Sequence, residues 1–230
     1  MPVSEPRHAA ASPRDRFRSQ MRDEIKAAAL AQLAEGGAAG VSVNAFGREL
    51  GVSGPALYRY FASRDALLTE LVIDAYTDLA EALREAVARR RRRPAAERLR
   101  ALARAYRAWA IAQPHRYGLL FGPPLPGQDA HSEAIVAASD DAMTVLLGVV
   151  SDLDEATLPA PSRRLARGLD AWSRARGAAA SPAVALRAVT LWARLHGIVA
   201  LELGGNFASM GLDPEALFEA ELRALADPDR

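Results

Sequence analysis

Apolar residues recur along this chain at the three-to-four spacing of helices, and no stretch of useful length alternates with the two-residue period of a strand. Phe17, Met21, Ile25, Ala28 and Leu33 predict a first helix from Arg16 to Glu35, closed by Gly36 and Gly37. Next, Val43, Phe46, Gly47 and Leu50 fall at i, i+3, i+4 and i+7 behind Ser42 at the N-cap position. Gly51 can end that helix in a left-handed conformation, and Val52 then fills the corner. Ser53 caps a second short helix with Pro55 in its first turn, where a missing N–H is harmless. Ala56, Leu57, Tyr60 and Phe61 make its inward face, which leaves Gly54, Pro55, Tyr58 and Arg59 outward or on the flanks. Two short helices with a tight corner are the pattern of a helix-turn-helix. Any helical hairpin of an all-α protein can share it.

The outward chemistry separates the two readings. A smooth helix start, Ser53 to Ala56, lets backbone approach base edges, while Tyr58, Arg59 and Arg64 place phosphate donors just behind it. The run GVSGPALYRYFASRDALL resembles the signature of the TetR family of one-component transcriptional regulators, over about residues 16 to 75. That resemblance implies phosphate contacts from Tyr58 and Arg64, base contacts from Gly54, Pro55 and Ala56, and backbone or neighbouring-base contacts from Ser42 to Asn44. Ser53, Arg59 and Tyr60 complete the candidate DNA-binding set. The family often carries Thr where Val43 stands, which removes one phosphate contact, and Lys where Arg64 stands, which keeps one.

Beyond this unit the periodicity continues. Leu67, Leu68, Leu71, Ala75, Leu79, Leu83 and Val87 extend one stripe behind Ser63 for more than six turns, too long for the small unit alone. This is the predicted connector helix, residues 63–93. Its five terminal arginines, 89 to 93, lie about 38 Å from its start at 1.5 Å per residue. They read as a solvated cationic helix end better than as a DNA patch. Leu99, Leu102, Ala103, Tyr106, Trp109 and Ala110 form the next stripe, stopped at Gln113-Pro114. A short piece from His115 to Phe121 precedes the loop GPPLPGQD, whose prolines and glycines exclude helix. Helical spacing returns from Ser132 to Leu153 through Ile135, Val136, Met143, Leu146, Leu147 and Val150, and from Arg163 to Arg176 through Leu165, Leu169 and Trp172.

The segment from Pro182 to Gly205 is apolar nearly all round and needs cover on two sides. Val189, Trp192, His196, Val199 and Leu203 give a bulky face, and Ala193, Gly197, Ala200 and Gly204 a small one. The small face suits a second copy of the same helix, with Leu217, Phe218, Leu222 and Leu225 of a closing helix, Pro214 to about Ala226, completing a four-helix contact. An intramolecular core is the alternative. A homodimer is favoured because one recognition helix reads too few base pairs, whereas two read a palindrome. The run LWARLHGIVALELGG also resembles a C-terminal effector domain of some TetR-like regulators named for its Trp-His-Gly residues, here Trp192 and His196-Gly197. It implies a ligand sensor.

Composition changes this picture little. The chain has 230 residues, 50% hydrophobic, with a net charge of +1, so DNA binding must come from a local patch. It has no cysteine, hence no disulfide, thiol nucleophile or thiolate metal site. The N-terminal stretch lacks an apolar leader core and nowhere do 18 apolar residues run together, which leads to the expectation of a cytoplasmic protein with no membrane partner. Residues 1–15 read as a disordered arm, residues 16–62 as the DNA-binding domain, and residues 63–230 as an all-α effector-binding and dimerisation domain. Such an arm is either untethered or a minor-groove probe.

Tyr106, Trp109, Tyr117, Phe121, Met143, Trp172, Trp192 and His196 are the candidates for lining an effector cavity, although aromatics at helical spacing usually fill a core. His196 stands out because a lone imidazole in so apolar a helix needs a hydrogen-bond partner, a backbone carbonyl included. No phosphate loop or His-x-x-x-His pair is present, and no cofactor or metal is implied. His115, His131, Asp140 and Asp141 leave only a nonspecific metal site or an all-α enzyme as outlying alternatives. A nearer one keeps the fold but lacks a ligand. The sum is a DNA-binding repressor: a homodimer on a double-stranded palindromic operator, released by a small apolar effector.

Overall fold

The computed structural model describes residues 12–40, 57–123 and 132–226, and all regular structure among them is helical. The expectations placed on the arm's first eleven residues, on Ser42, Val43, Asn44, Phe46, Leu50, Ser53, Gly54, Pro55 and Ala56, on most of the GPPLPGQD loop and on His131 lie outside these residues. In chain order the helices are α1 (Pro13–Gly40), α2 (Arg64–Ala88), α3 (Ala95–Ala112), α4 (Pro114–Phe121), α5 (Glu133–Ser151), α6 (Arg163–Ala175), α7 (Pro182–Leu203), α8 (Asn206–Ser209) and α9 (Pro214–Ala226). Contacts divide the chain into two compact units, and the division falls inside α2, after Leu71, rather than before the helix.

In the first unit α1 begins earlier than its apolar stripe suggested. The Ser12 hydroxyl accepts from the Asp15 N–H at 3.1 Å, and the Asp15 carboxylate accepts from the Ser12 N–H at 3.3 Å. This reciprocal capping box, with Pro13 at the first helical position, starts the helix inside the stretch expected to be disordered. The helix also continues through Gly36 and Gly37 to Gly40, since glycine permits a helix stop without imposing one. Ile25, Ala28 and Ala29 carry its buried face, against an expectation that began the stripe at Phe17, which is exposed. Leu57, Phe61, Leu67, Leu68 and Leu71 are the other buried apolar residues of this unit. Ser63 caps α2, its hydroxyl accepting from the Ala66 N–H at 3.0 Å.

The connector helix ends at Ala88, five residues short of the expected limit. Arg90, Arg91 and Arg93 bond backward over three residues in successive turns, because a residue before proline is driven out of the α region and Arg93 precedes Pro94. In the second unit every residue of the predicted α3 stripe is buried: Leu99, Leu102, Ala103, Tyr106, Trp109 and Ala110. The hub of this unit is α7, which packs against α3, α5, α6, α8 and α9.

The buried face of α7 is Val184, Ala188, Leu191, Leu195 and Val199, rotated from the bulky face expected around Val189, Trp192 and His196. Trp192 is 37% exposed, and the small residue Ala193 and the neighbouring Leu201 are exposed too. Because almost every position of this helix is apolar, hydrophobicity could not fix its rotation. Phe218 and Leu222 of α9 are correspondingly buried inside the subunit's own core rather than held back for a second copy. Val136 and Leu165, assigned to core stripes, are exposed. By length and hydropathy α5 and α7 could each cross a membrane, yet here they pack on one another and share the core.

Candidate DNA-binding face and ligand cavity

Two apolar anchors and one arginine orient the described end of the recognition segment. Leu57 and Phe61 are 3% and 6% exposed, so the residues between them are turned away from the core. The Arg22 guanidinium of α1 lies over the Phe61 ring at 4.3 Å, donates to the Tyr60 carbonyl, and pairs with Glu70, which Lys26 also meets at 3.2 Å. Arg18 donates to the Arg59 carbonyl at 3.4 Å. With its backbone held from behind, this stretch presents Tyr58 at 54% exposure, and Arg59 is exposed beside it. Tyr60 is half-buried. Arg64 opens α2 with its Nη1 3.6 Å from Asp65. Arg22 escaped the sequence reading because its partners lie 38 and 48 residues away.

The second unit encloses a cavity of about 330 Å³ among α2, α3, α5, α6 and α7. Five of the residues picked from sequence line it: Tyr106, Phe121, Met143, Trp172 and Trp192. Trp109 does not, since its indole N–H donates to Asp78 at 2.9 Å, where Arg116 also binds at 2.7 Å. Tyr117 and His196 stand behind the wall. The Tyr117 hydroxyl lies 2.9 Å from His196 Nδ1, and the Tyr106 hydroxyl 3.4 Å from the same nitrogen. The imidazole is stacked between Tyr117 and Trp192 at centroid distances of 5.7 and 5.6 Å. Its hydrogen-bond partner is thus a pair of phenols, with the Tyr117 hydroxyl also 3.3 Å from the His196 carbonyl. Burial lowers the His196 pKa, favouring a neutral ring that accepts at Nδ1. Burial, with Tyr117 close by, raises that of Tyr106, which stays a phenol.

Sequence reasoning missed Tyr76, Leu79 and Leu83 of α2, and above all Asp140 and Arg176, which bring charge to an otherwise apolar wall. Arg176 Nη2 lies 2.7 Å from Asp140 Oδ1, the guanidinium sits over the Trp172 ring at 4.4 Å, and Nη1 donates to the Trp172 carbonyl at 3.2 Å. Arg176 itself is held by the end of α6. Gly177, at φ +64°, lets the Ala178 N–H bond to the Ser173 carbonyl at 3.1 Å and the Gly177 N–H to the Arg174 carbonyl at 3.0 Å, a Schellman closure. The buried Ser173 hydroxyl then donates to the Ala178 carbonyl at 2.7 Å and lies 3.4 Å from that of Ala180, pinning the α6–α7 hairpin. The carboxylates of the outlying metal reading are otherwise engaged, Asp140 here and Asp141 with Arg84 at 2.9 Å, and no metal-ligand cluster occurs among the described residues.

Comparison with known proteins agrees with both halves. The family described as bacterial regulatory proteins, tetR family, matches residues 25–71, and that described as tetracyclin repressor-like, C-terminal domain, matches residues 99–225. An HTH-type transcriptional regulator of Mycobacterium bovis is 33% identical over 216 residues, covering 90% of this chain and 92% of the relative. The chain belongs to the TetR family. It is therefore a transcriptional regulator with a DNA-binding helix-turn-helix and not an enzyme. Within the solved structures, the regulatory protein SCO4313 superposes at a TM-score of 0.79 with 40% identity, over 93% of this chain and 98% of that one. A protein of unknown function from Rhodococcus sp. RHA1 shares the fold at a TM-score of 0.67 and 24% identity, over 98% of each chain. The TetR match to the C-terminal region contains Trp192, His196 and Gly197, the run that pointed to an effector domain.

Proposed function

We propose that this TetR-family regulator is a cytoplasmic repressor that binds a palindromic operator as a homodimer and is released by a small, largely apolar effector held in the C-terminal cavity. The observation that carries the reading is the cavity itself. A chamber of about 330 Å³ walled by aromatic side chains is at the small end of ordinary ligand sites and is larger than core packing leaves by default. Its wall includes Tyr76, Leu79 and Leu83 of α2, the helix whose first turns belong to the DNA-binding unit. An occupant that shifts α2 changes the spacing of the paired reading heads. DNA and effector then oppose one another with a mutual coupling of about 1–3 kcal/mol.

In this reading Tyr58 and Arg64 hold phosphates, with Ser42, Asn44, Ser53, Arg59 and Tyr60 nearby, and Gly54, Pro55 and Ala56 meet bases. The exposed small face of α7, around Ala193 and Leu201, is the surface left for a second copy. The test is a mobility-shift titration of the protein on DNA from upstream of its own gene. A saturable, sequence-selective complex of two chains per site is expected. A complex of one chain, or binding without sequence preference, overturns the dimeric repressor.

A further inference from the structure

We infer that the cavity selects an uncharged, flat, mainly apolar ligand carrying one hydroxyl or carboxamide group, and that the Asp140–Arg176 pair is the selector. This rests on the cavity being the effector site proposed above. Three observations lead there. The wall is aromatic and aliphatic apart from Ser139, Asp140 and Arg176, and Tyr76, Phe121, Trp172 and Trp192 offer ring faces to a planar occupant. The two charges neutralise one another at 2.7 Å, so the site has no net charge to offer an ionic ligand. Their side chains are only 23% and 17% exposed, so an intruding charge would strand its like-charged rival in a poorly hydrated wall.

The third observation concerns unused hydrogen-bonding capacity. Asp140 Oδ1 and Arg176 Nε are both buried without a hydrogen-bond partner, because the 2.7 Å approach of Nη2 to Oδ1 is an ionic contact with poor hydrogen-bond alignment. The pair therefore attracts by charge while keeping an acceptor and a donor in reserve. A hydroxyl or amide can give a proton to the carboxylate and accept one from the guanidinium, after a small side-chain shift and without separating the ions. A carboxylate ligand can satisfy Arg176 only by displacing Asp140, and an ammonium can satisfy Asp140 only by displacing Arg176.

The experiment is isothermal titration calorimetry of the full chain at neutral pH with three probes of one shape: 2-naphthol, 2-naphthoate and 2-naphthylmethylammonium. In the native protein the naphthol should bind about tenfold or more tightly than either ion. Asp140→Asn should move the preference to naphthoate, Arg176→Gln should move it to the ammonium, and the double substitution should restore naphthol. The native series stands by itself if a single variant fails to fold. Naphthoate or the ammonium binding the native protein as tightly as naphthol, or an unchanged order in a folded Asp140→Asn protein, overturns the inference. Silence from all three probes overturns it as well. Selective naphthol binding that leaves operator affinity unchanged supports the charge selection and overturns the effector reading alone.

Discussion

The two units place their chemistry on opposite sides of their hydrophobic residues. The first has a modest core, around Ile25, Leu57, Phe61, Leu67 and Leu68, and displays Tyr58 and Arg59 outside it. The second builds a continuous core through α2, α3, α4, α5, α7 and α9 and keeps its candidate site as a gap within that packing. An outward site is specified by the order of residues on one short helix. An inward one depends on how several helices meet, so the first was legible as a motif and the second only as a set of aromatic candidates.

This contrast can be broken by substitutions, the most damaging first. Phe218→Ala removes a ring that is 1% exposed in the second core and should lower unfolding free energy by about 3–5 kcal/mol, whereas Phe17→Ala, at 61% exposed, should change it by less than about 0.5 kcal/mol. Chemical denaturation of both variants checks this, and similar losses would mean that α1 is covered in a way the described contacts do not show. Arg107→Ala comes next. Arg107 meets Glu202 through two bonds of 2.7 and 2.8 Å, with side chains 17% and 12% exposed, and its loss should cost about 2 kcal/mol, seen as a lower denaturation midpoint with DNA affinity unchanged once folded.

Arg64→Ala should act on the other side of the contrast. Operator affinity is expected to fall about tenfold for all sequences, and the salt dependence of log K to flatten by about 0.9 per lost contact. A changed sequence preference with an unaltered salt slope would assign Arg64 to base reading instead. The smallest effect belongs to His196. Its folded pKa is lowered by burial beneath the ordinary value of 6.5, so the unfolded chain takes up the proton more readily. Its contribution to stability is whole above that unfolded value and is lost as pH falls through the lower folded one. The acid-side loss of thermal stability should be shallower in His196→Asn than in the native chain, and an identical profile would show the imidazole to be free to ionise.

Particular residues show where sequence reasoning stops. The α3 stripe could be read in full because polar residues separate its apolar ones and fix the helix's rotation. In α7 the same reasoning chose Trp192 and His196 over Leu191 and Leu195, because bulk is a poor guide where nearly all positions are apolar. The start of α1 was legible in Ser12-Pro13-Arg14-Asp15 as a capping box, but the Ala-rich segment before it hid the signal. Asp140 and Arg176, 36 positions apart by their numbering, carried no mark of being partners. Polar residues at a helix end look like ordinary surface until a tertiary contact turns them inward.

The clasp formed by the Ser173 hydroxyl holds Ala178 and Ala180 and so gauges how far α6 stands from α7. Trp172 and Arg176 ride on one side of that gauge, and Val189 and Trp192 on the other. Adding or removing a residue in the hairpin would widen or narrow the chamber while leaving all of its lining side chains the same. Regulators built on this frame can thus be retuned to molecules of another girth through a short exposed bend, far from the surface that touches DNA in sequence, with one buried serine as the fulcrum.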